Sequence, residues 1–421
     1  MGRRIVIIGG GAAGASAAAR ARRLDPEAEI VMLDKGLFIS HAPPCGIPYY
    51  IGGVVKEAQE LAIYTPEEFA KERRITVKVN AEVFDVDTKN QVVYAREGNE
   101  TVKYQWDVLI IATGGAKPIT LPVEGHDLNG ILTLRLPHEA PKLREEVEKA
   151  STVAVVGGGY IGLEVAEALR NLGKRVLLFE MMPHVLPTTF DEDMAKLIHD
   201  ELIKNGVELH LNEKVVGFRG GVNGHVNKVI TEKGEYNVDK VVMGVGVKPD
   251  VDLAVKAGAR LGETGAVWVN EYMETSVPNV YAAGDVAETW SLITGKRMYV
   301  ALAPPANKMG GQVAGANAVR GRFLKFPGVL GTAITKVFGL YVARTGLTEK
   351  QARDEGFKPV SATIKARTTA HYYPGGVQIN IKMTMDETSG RVLGVQIIGP
   401  DKIVAGYIDI AAALIGKGGN D

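Results

Sequence analysis

Cysteine is nearly absent from this sequence: the 421 residues contain one, Cys45. A single thiol cannot close a disulfide within its own chain, so a disulfide scaffold and a multi-cysteine metal site are excluded, and we predict no metal. If Cys45 does redox chemistry, its oxidised form is a sulfenic acid or a mixed disulfide with a small thiol. The alternative is an inert thiol that packs as a small hydrophobic group.

Net charge and long apolar runs are also missing. The 49 basic and 49 acidic residues cancel, so no global field attracts nucleic acid or an anionic membrane. No apolar run reaches the ~18 residues that a membrane-spanning helix requires. The basic and apolar start resembles a secretory signal, but Gly9, Gly10 and Gly11 interrupt it. We therefore expect a cytoplasmic protein with no membrane span and no nucleic-acid partner.

Glycine is abundant, with 50 residues, and it is concentrated in two similar units. In the first, an apolar strand precedes a G-x-G-x-x-G turn formed by Gly9, Gly11 and Gly14. An Ala-rich helix and a second strand, 30–33, lead to Asp34. This is a βαβ dinucleotide fingerprint: its glycines let backbone approach a pyrophosphate, and its acid accepts from ribose hydroxyls. The alternative is a glycine-rich turn without a ligand.

The same unit recurs about 150 residues later. Gly157, Gly159 and Gly162 form the turn, a helix is predicted over 163–172, and the next strand ends at Glu180. Two such units indicate two bound dinucleotides or a duplicated domain. The acid favours a free 2′-hydroxyl, and therefore NADH over NADPH, because methionines rather than an arginine follow it.

The remaining chain adds further strands. A strand delivers Asp285 beside a glycine, where the carboxylate can accept from a sugar-like hydroxyl or act as a helix N-cap. From about Gly331 the pattern predicts a separate α+β domain with an antiparallel sheet. Its predicted strands span 359–373, 377–385 and 391–399, and its predicted helix spans 409–415. The chain length itself is consistent with about three domains.

These motifs, in this order, resemble the flavoprotein disulfide reductases that have two dinucleotide domains. The single cysteine makes the chain similar to the branch of coenzyme A-disulfide reductases, NADH oxidases and NADH peroxidases, including archaeal relatives that reduce polysulfide or sulfur with coenzyme A. The resemblance implies an α/β fold with two Rossmann-like, glutathione-reductase-like domains and a C-terminal α+β dimerisation domain. The implied extents are 1–115 and 246–325 for FAD binding, 116–245 for NAD(P)H binding, and 326–421 for dimerisation.

The resemblance also implies the cofactors, FAD in the first fingerprint and NADH in the second, with NADPH as the alternative. The implied FAD residues are Gly9, Gly11, Gly14, Asp34, Val83, Thr113, Gly114, Asp285, Ala301 and Ala303. The implied coenzyme residues are Gly157, Gly159, Gly162, Glu164 and Glu180, and Gly246 completes the cofactor-binding set. Tyr160 would cover the nicotinamide face of the flavin, or alternatively pack at the start of its helix.

By the same resemblance, Cys45 would lie on the opposite flavin face, with Ser40 close enough to form a hydrogen bond to it. The implied coenzyme A contacts are Ser16, Arg20, Arg23 and Arg73. The alternative for this basic cluster is a solvated helix surface. Tyr372 would reach the thiol site of the partner subunit, which implies a homodimer. One departure concerns Cys45 itself, because Pro44 stands where the family usually has asparagine.

The predicted function is FAD-dependent NAD(P)H oxidoreduction of coenzyme A disulfide, or of coenzyme A persulfide and polysulfide, through Cys45. One alternative is an NADH oxidase or peroxidase that cycles Cys45 through a sulfenic acid. The other is an electron-transfer reductase that serves a ferredoxin-like protein and leaves Cys45 inert.

Overall fold

The structure is a computed structural model, and it describes residues 2–41, 45–115 and 117–419. The predicted departure at Pro44 lies outside these residues. Residues 2–115 form β1 (Arg4–Ile8), α1 (Ala12–Leu24), β2 (Glu29–Leu33), β3 (Ile39–His41), α2 (Ile47–Ile51), β4 (Ala62–Tyr64), α3 (Pro66–Arg73), β5 (Thr76–Lys78), β6 (Ala81–Asp87), β7 (Val92–Glu97), β8 (Glu100–Gln105) and β9 (Val108–Ile111).

The middle of the chain carries the second unit. Its elements are β10 (Lys117–Pro118), β11 (Ile131–Thr133), α4 (Ala140–Glu148), β12 (Thr152–Val156), α5 (Tyr160–Asn171), β13 (Arg175–Phe179), α6 (Glu192–Lys204), β14 (Val207–His210), β15 (Val215–Gly220), β16 (Val226–Thr231), β17 (Glu235–Asn237), β18 (Lys240–Met243) and β19 (Val247–Lys248).

The last third contains two groups of elements. The first is α7 (Asp252–Lys256), β20 (Val280–Ala282), β21 (Thr289–Trp290), β22 (Arg297–Met298), α8 (Ala303–Asn307), a π-helix (Lys308–Ala314) and α9 (Gly315–Arg320). The second is β23 (Ala333–Val337), β24 (Leu340–Gly346), α10 (Glu349–Asp354), β25 (Pro359–Arg367), β26 (Gln378–Asp386), β27 (Val392–Gly399) and α11 (Ile403–Gly416).

Two five-stranded parallel sheets organise the molecule. The first has the order β20-β9-β1-β2-β5, and the second has the order β11-β18-β12-β13-β14. Each fingerprint strand, β1 or β12, is central and buried on both faces, which explains why both read as continuous apolar runs. The strand β20 returns to the first sheet after the second unit is complete, so the first domain is discontinuous in sequence.

Three-stranded antiparallel sheets accompany each parallel sheet and were not predicted. They are β6-β7-β8 and β15-β16-β17. A two-stranded ribbon, β10 paired with β19, carries the chain between the two domains in both directions. These short strands contain charged residues, and bulges in the pairing of β6 with β7 and of β15 with β16 interrupt the two-residue period, so their sequence signal is weak.

The C-terminal domain is an antiparallel sheet with the order β23-β24-β27-β26-β25, and α11 packs on β24 and β27. Its first strands form a hairpin where the sequence alternates irregularly. The strand predicted over 359–373 ends at Arg367, and the predicted helix 409–415 is part of the longer α11. No helix in the described part of the chain combines the length and apolar character required to cross a membrane.

Candidate active site

One cavity of about 1010 Å³ extends between the carboxyl ends of the two parallel sheets and contacts both glycine-rich turns. Ligands of open α/β sheets bind at this edge, where the connections diverge. Most of the predicted residues line it: Gly9, Gly11, Asp34, Cys45, Val83, Thr113, Gly114, Gly157, Gly159, Tyr160, Glu164, Glu180, Gly246, Asp285, Ala301 and Ala303. The fold therefore brings residues from ten separate segments of the chain to one cavity, and Cys45 is among them.

The two fingerprint acids make matching contacts with their turns. Asp34 accepts hydrogen bonds from the backbone N–H of Gly10 at 2.7 Å and of Gly36 at 2.6 Å. Glu180 accepts from Gly158 at 2.8 Å and from Met182 at 2.8 Å. Each carboxylate is therefore held at the end of its second strand, beside the glycine-rich turn where an adenosine ribose would lie.

Gly14 and Gly162 do not line the cavity, although the sequence pattern places them with the cofactor residues. A Cβ on Gly14 would stand 1.8 Å from the carbonyl oxygen of Gly9, and one on Gly162 would stand 1.9 Å from that of Gly157. These glycines permit each helix to pack against its own turn. Their role is therefore to shape the turn rather than to contact a ligand.

Asp285 follows β20 and faces the same cavity. Burial raises the pKa of its carboxyl to about 6, and among the described residues it has no hydrogen-bond donor or cation. The hydroxyl of Tyr299, on the same wall, is buried and also lacks a hydrogen-bond partner there. Such orphaned polar groups fit a ligand with hydroxyls, as the ribitol of FAD has. The residues present therefore fit the flavin that the sequence implies.

Cys45 lies two residues before α2, and its side chain is exposed to the cavity. The surrounding protein atoms shield the thiol from much of the solvent. This burial, and then the negative charges of Glu164 and Asp285, raise the pKa of the thiol to about 11. The helix that follows, α2, has only five residues, and the nearest charges are acidic, so neither favours the thiolate in the chain alone. Oxidised flavin or a substrate would have to change this balance.

Ser40 makes no hydrogen bond to Cys45 in the described structure. Its backbone has a left-handed φ of 52°, and its N–H donates to the carbonyl of Gly10 at 2.7 Å. This backbone hydrogen bond joins the segment that leads to Cys45 to the first fingerprint turn. The predicted contact with the thiol is not formed in this arrangement.

Glu164 and Tyr160 occupy the first two turns of α5, next to the C-terminal domain. Glu164 accepts a hydrogen bond from Thr335 at 2.7 Å, and burial raises the pKa of its carboxyl to about 7. The hydroxyl of Tyr160 is buried without a hydrogen-bond partner among the described residues, and burial raises its pKa. A carboxyl with a pKa near 7 and a tyrosine hydroxyl without a hydrogen-bond partner among the described residues thus line the same cavity as Cys45.

A second cavity, of about 810 Å³, lies along α1. Ser16, Arg20 and Arg23 line it together with Lys308, which was not predicted, and the Nε of Arg20 has no hydrogen-bond partner among the described residues. Three cations around one cavity suit a ligand with several phosphates. Arg73 does not line this cavity; its guanidinium instead donates to the hydroxyl of Tyr64 at 3.3 Å.

Tyr372 lies far from these features on the protein surface, with 89% of its side chain exposed. It does not line either cavity of this chain. A role at the thiol site would therefore require the side chain to enter from a second subunit.

Several cavity residues were missed by the sequence reasoning. They are Lys35, Lys117, Arg135, Lys214 and Tyr299. Lys35 directly follows the fingerprint acid Asp34, so its position was available from the motif. The others stand in segments without a local signature, and only the folded chain brings them to the cavity.

Comparisons with known proteins identify the family. A model of the pyridine nucleotide-disulphide oxidoreductases matches residues 3–310, and a model of their dimerisation domain matches residues 332–420. This chain belongs to that family. Membership in the pyridine nucleotide-disulphide oxidoreductases confirms the predicted resemblance and fold class, and it makes the chain an oxidoreductase.

Three relatives illustrate the range within the pyridine nucleotide-disulphide oxidoreductases. The NAD(P)H sulfur oxidoreductase (CoA-dependent) of Pyrococcus abyssi is 46% identical over 413 residues, which cover 98% of this chain and 90% of that protein. An NADH oxidase of Methanocaldococcus jannaschii is 39% identical over 421 residues, covering 98% and 91%. The structure of a NAD-dependent persulfide reductase from A. fulgidus gives a TM-score of 0.94 at 38% identity, covering 99% of this chain and 77% of that one.

Proposed function

We propose that this chain is an FAD-dependent NAD(P)H oxidoreductase that reduces coenzyme A disulfide, or coenzyme A persulfide and polysulfide, through Cys45. The observation that carries the proposal is the position of Cys45 on the wall of the cavity that both fingerprint turns share. The name of the Pyrococcus abyssi relative, a CoA-dependent sulfur oxidoreductase, supports the same substrate class.

The cofactors follow from the two halves of the cavity. In the proposal, Asp34 and the first turn hold the adenosine part of FAD, Asp285 accepts from its ribitol, and Glu180 with the second turn holds NADH. Bound FAD would pass electrons from reduced nicotinamide to a nearby sulfur. The protein supplies the orientation of that sulfur, because Cys45 precedes α2, which packs against α4 and α5.

The chemistry at Cys45 is thiol–disulfide exchange. The thiolate attacks one sulfur of a coenzyme A disulfide, the substrate S–S bond breaks, and one coenzyme A leaves while a Cys45–coenzyme A disulfide forms. An electron pair from NAD(P)H then breaks this mixed disulfide and frees the second coenzyme A. NAD(P)H supplies one proton and solvent supplies the other, so that one disulfide yields two thiols.

The second cavity supports the choice of coenzyme A. Arg20, Arg23 and Lys308 surround it, and their charges suit the phosphates of the nucleotide part of coenzyme A. In this proposal Ser16 lies with them, and Arg73 remains a predicted contact that this arrangement of the chain does not form. The pantetheine arm would run from this cavity toward Cys45.

The assembly is part of the proposal. A homodimer would form through residues 326–421, and the match to a dimerisation domain supports it. On this domain Val360, Ile364 and Ile410 expose 47%, 56% and 67% of their side chains. Tyr372 would approach the thiol site of the partner subunit. The predicted domain limits and cytoplasmic location remain predictions.

Replacement of Cys45 by serine tests the proposal. Cys45→Ser should abolish NADH-dependent reduction of coenzyme A disulfide while NADH still reduces an artificial dye through the flavin. A variant that keeps full disulfide reduction would refute the proposed role. It would favour the ferredoxin-type reductase in which Cys45 is inert.

The second candidate is an NADH oxidase, and the name of the Methanocaldococcus jannaschii relative favours it. In that reaction Cys45 would pass through a sulfenic acid. The two candidates differ in the product formed per NADH consumed. Thiol formation from coenzyme A disulfide in the absence of oxygen supports the first, and oxygen consumption that requires Cys45 supports the second.

A further inference from the structure

Two loops meet at the end of the large cavity that Glu180 occupies. The N–H of Asn212 donates to the carbonyl of Met182 at 3.1 Å, and the N–H of Glu213 donates to the carbonyl of Glu180 at 3.0 Å. Two backbone hydrogen bonds therefore hold the segment after β14 against the turn after β13. The next residue, Lys214, is exposed and lies on the cavity wall.

The ammonium group of Lys214 has no ion-pair partner among the described residues, 2–41, 45–115 and 117–419. The carboxylate of the adjacent Glu213 is buried and makes its contacts elsewhere: it accepts from the hydroxyls of Thr231 and Tyr236, both at 2.7 Å, and lies 3.2 Å from Nδ1 of His210. Lys214 therefore presents a free positive charge to the cavity.

The other lysines of the cavity wall have hydrogen-bond or ion-pair partners, and they lie at the end of the cavity away from Glu180. Lys35 and Lys117 pair with Asp250 at 3.5 Å and 3.3 Å, and Lys256 donates to the carbonyl of Phe84 at 2.6 Å. Asp250 is bonded to Thr113 and Gly114, and Phe84 follows Val83, so these partners lie among the residues of the predicted FAD site. Among the described lysines that line the cavity, Lys214 alone stands on the loops that frame Glu180.

The pair of Glu180 and Lys214 has a consequence for the coenzyme. A buried carboxylate next to the ribose accepts from a 2′-hydroxyl but repels a 2′-phosphate. A lysine is a compact, mobile cation that binds phosphate as a point charge and needs no fixed bidentate geometry. We infer that Lys214 lets the second nucleotide site accept a 2′-phosphate beside Glu180, so that NADPH binds as well as NADH.

This inference rests on the proposed function, which assigns the second fingerprint to the reduced coenzyme. It differs from the sequence-based preference for NADH, which rests on Glu180 and on the absence of an arginine directly after it. The cation comes instead from a loop 34 positions further along the chain.

The test compares 2′,5′-ADP with 5′-AMP on the flavin-loaded enzyme, by calorimetry, with NADH as the competitor. Lys214→Gln should weaken 2′,5′-ADP binding about tenfold, the loss expected for one charge-assisted contact, and should change 5′-AMP binding less than about twofold. Lys214→Arg should retain binding of both. Lys196→Gln is the matched control, because Lys196 is exposed on α6 and does not line the cavity.

Steady-state kinetics give the second readout. In Lys214→Gln the ratio of KM for NADPH to KM for NADH should rise about tenfold, and high salt should reduce the difference from the unmodified enzyme. Equal binding of 2′,5′-ADP by Lys214→Gln and the unmodified enzyme would overturn the inference while leaving the proposed function intact. Failure of the enzyme to bind either nucleotide competitively with NADH would overturn the coenzyme assignment and the inference together.

Discussion

The acidity of the single thiol should depend on Glu164, and the dependence should itself depend on pH. Burial raises the pKa of Cys45 most, and the negative charge of Glu164 raises it next. The pKa of Glu164 is itself about 7. Glu164 therefore carries its charge only above neutrality, and Glu164→Gln should make the thiol more acidic only in that range.

The size of the effect follows from the total shift. The pKa of Cys45 rises from 9.0 to about 11, with burial as the largest cause. The carboxylate therefore contributes no more than about one pH unit of that rise. Below the thiol pKa the thiolate population scales tenfold per pH unit, so alkylation at pH 9 should accelerate about three- to tenfold. At pH 6, where Glu164 is mostly neutral, the two proteins should react at nearly equal rates.

The assay is the alkylation rate with iodoacetamide, a neutral reagent, on the reduced and flavin-free protein between pH 6 and pH 9.5. Every adduct reports on Cys45, because the chain contains no other cysteine. Thr335→Val is the matched control. The Thr335 hydroxyl donates to Glu164 and lowers the pKa of that carboxyl, so its removal should raise this pKa. In the Thr335→Val background, the pH above which Glu164→Gln accelerates alkylation should therefore be higher. Equal rates at pH 9, or a difference that persists at pH 6, would refute the reasoning.

Three further predictions concern the nucleotide sites. Burial raises the pKa of Asp285 from 3.8 to about 6, so the folded flavin-free protein loses stability as pH rises through that range. Between pH 4 and pH 8 the flavin-free Asp285→Asn variant should lose less unfolding free energy, measured in urea, than the unmodified protein, by up to about 3 kcal/mol. It should also retain less FAD. The same pH dependence of stability in both proteins would contradict this prediction. Glu180→Ala should raise KM for NADH at least about tenfold and KM for NADPH less, and equal increases would contradict the role of the carboxylate. Gly162→Ala should lower the free energy of unfolding by about 1–3 kcal/mol because its methyl group would overlap the Gly157 carbonyl. Gly406→Ala in α11, where a Cβ meets nothing within 4 Å, should be neutral or stabilising, and an equal loss in both variants would refute the packing argument.

The two βαβ units could be predicted because the signal is local. Each strand is buried on both faces, each turn needs glycine, and each acid ends the next strand, so about 30 consecutive residues carry the whole pattern. Asp34 and Glu180 accordingly lie where the motif places them, each bonded to its own turn. The role of the last glycine of each turn, Gly14 or Gly162, could not be predicted from the sequence, because close packing and ligand contact both favour glycine.

The convergence of distant segments could not be predicted from local patterns. Two backbone hydrogen bonds between loops bring the segment before Lys214 beside Glu180, and Thr335 donates to Glu164 from the C-terminal sheet. The helix α11 was predicted too short because its residues are apolar on nearly all sides, which weakens a helical period. The contact of Ser40 with Cys45 stays a prediction; in the described structure the Ser40 backbone N–H donates to the carbonyl of Gly10.

The redox state of Cys45 during turnover tests the central claim most directly. The mass of the purified chain should show a coenzyme A adduct on Cys45, and one equivalent of NADH added without oxygen should release one coenzyme A and leave one free thiol. An unmodified Cys45 whose thiol content stays constant through repeated reduction and reoxidation of the enzyme would contradict the account.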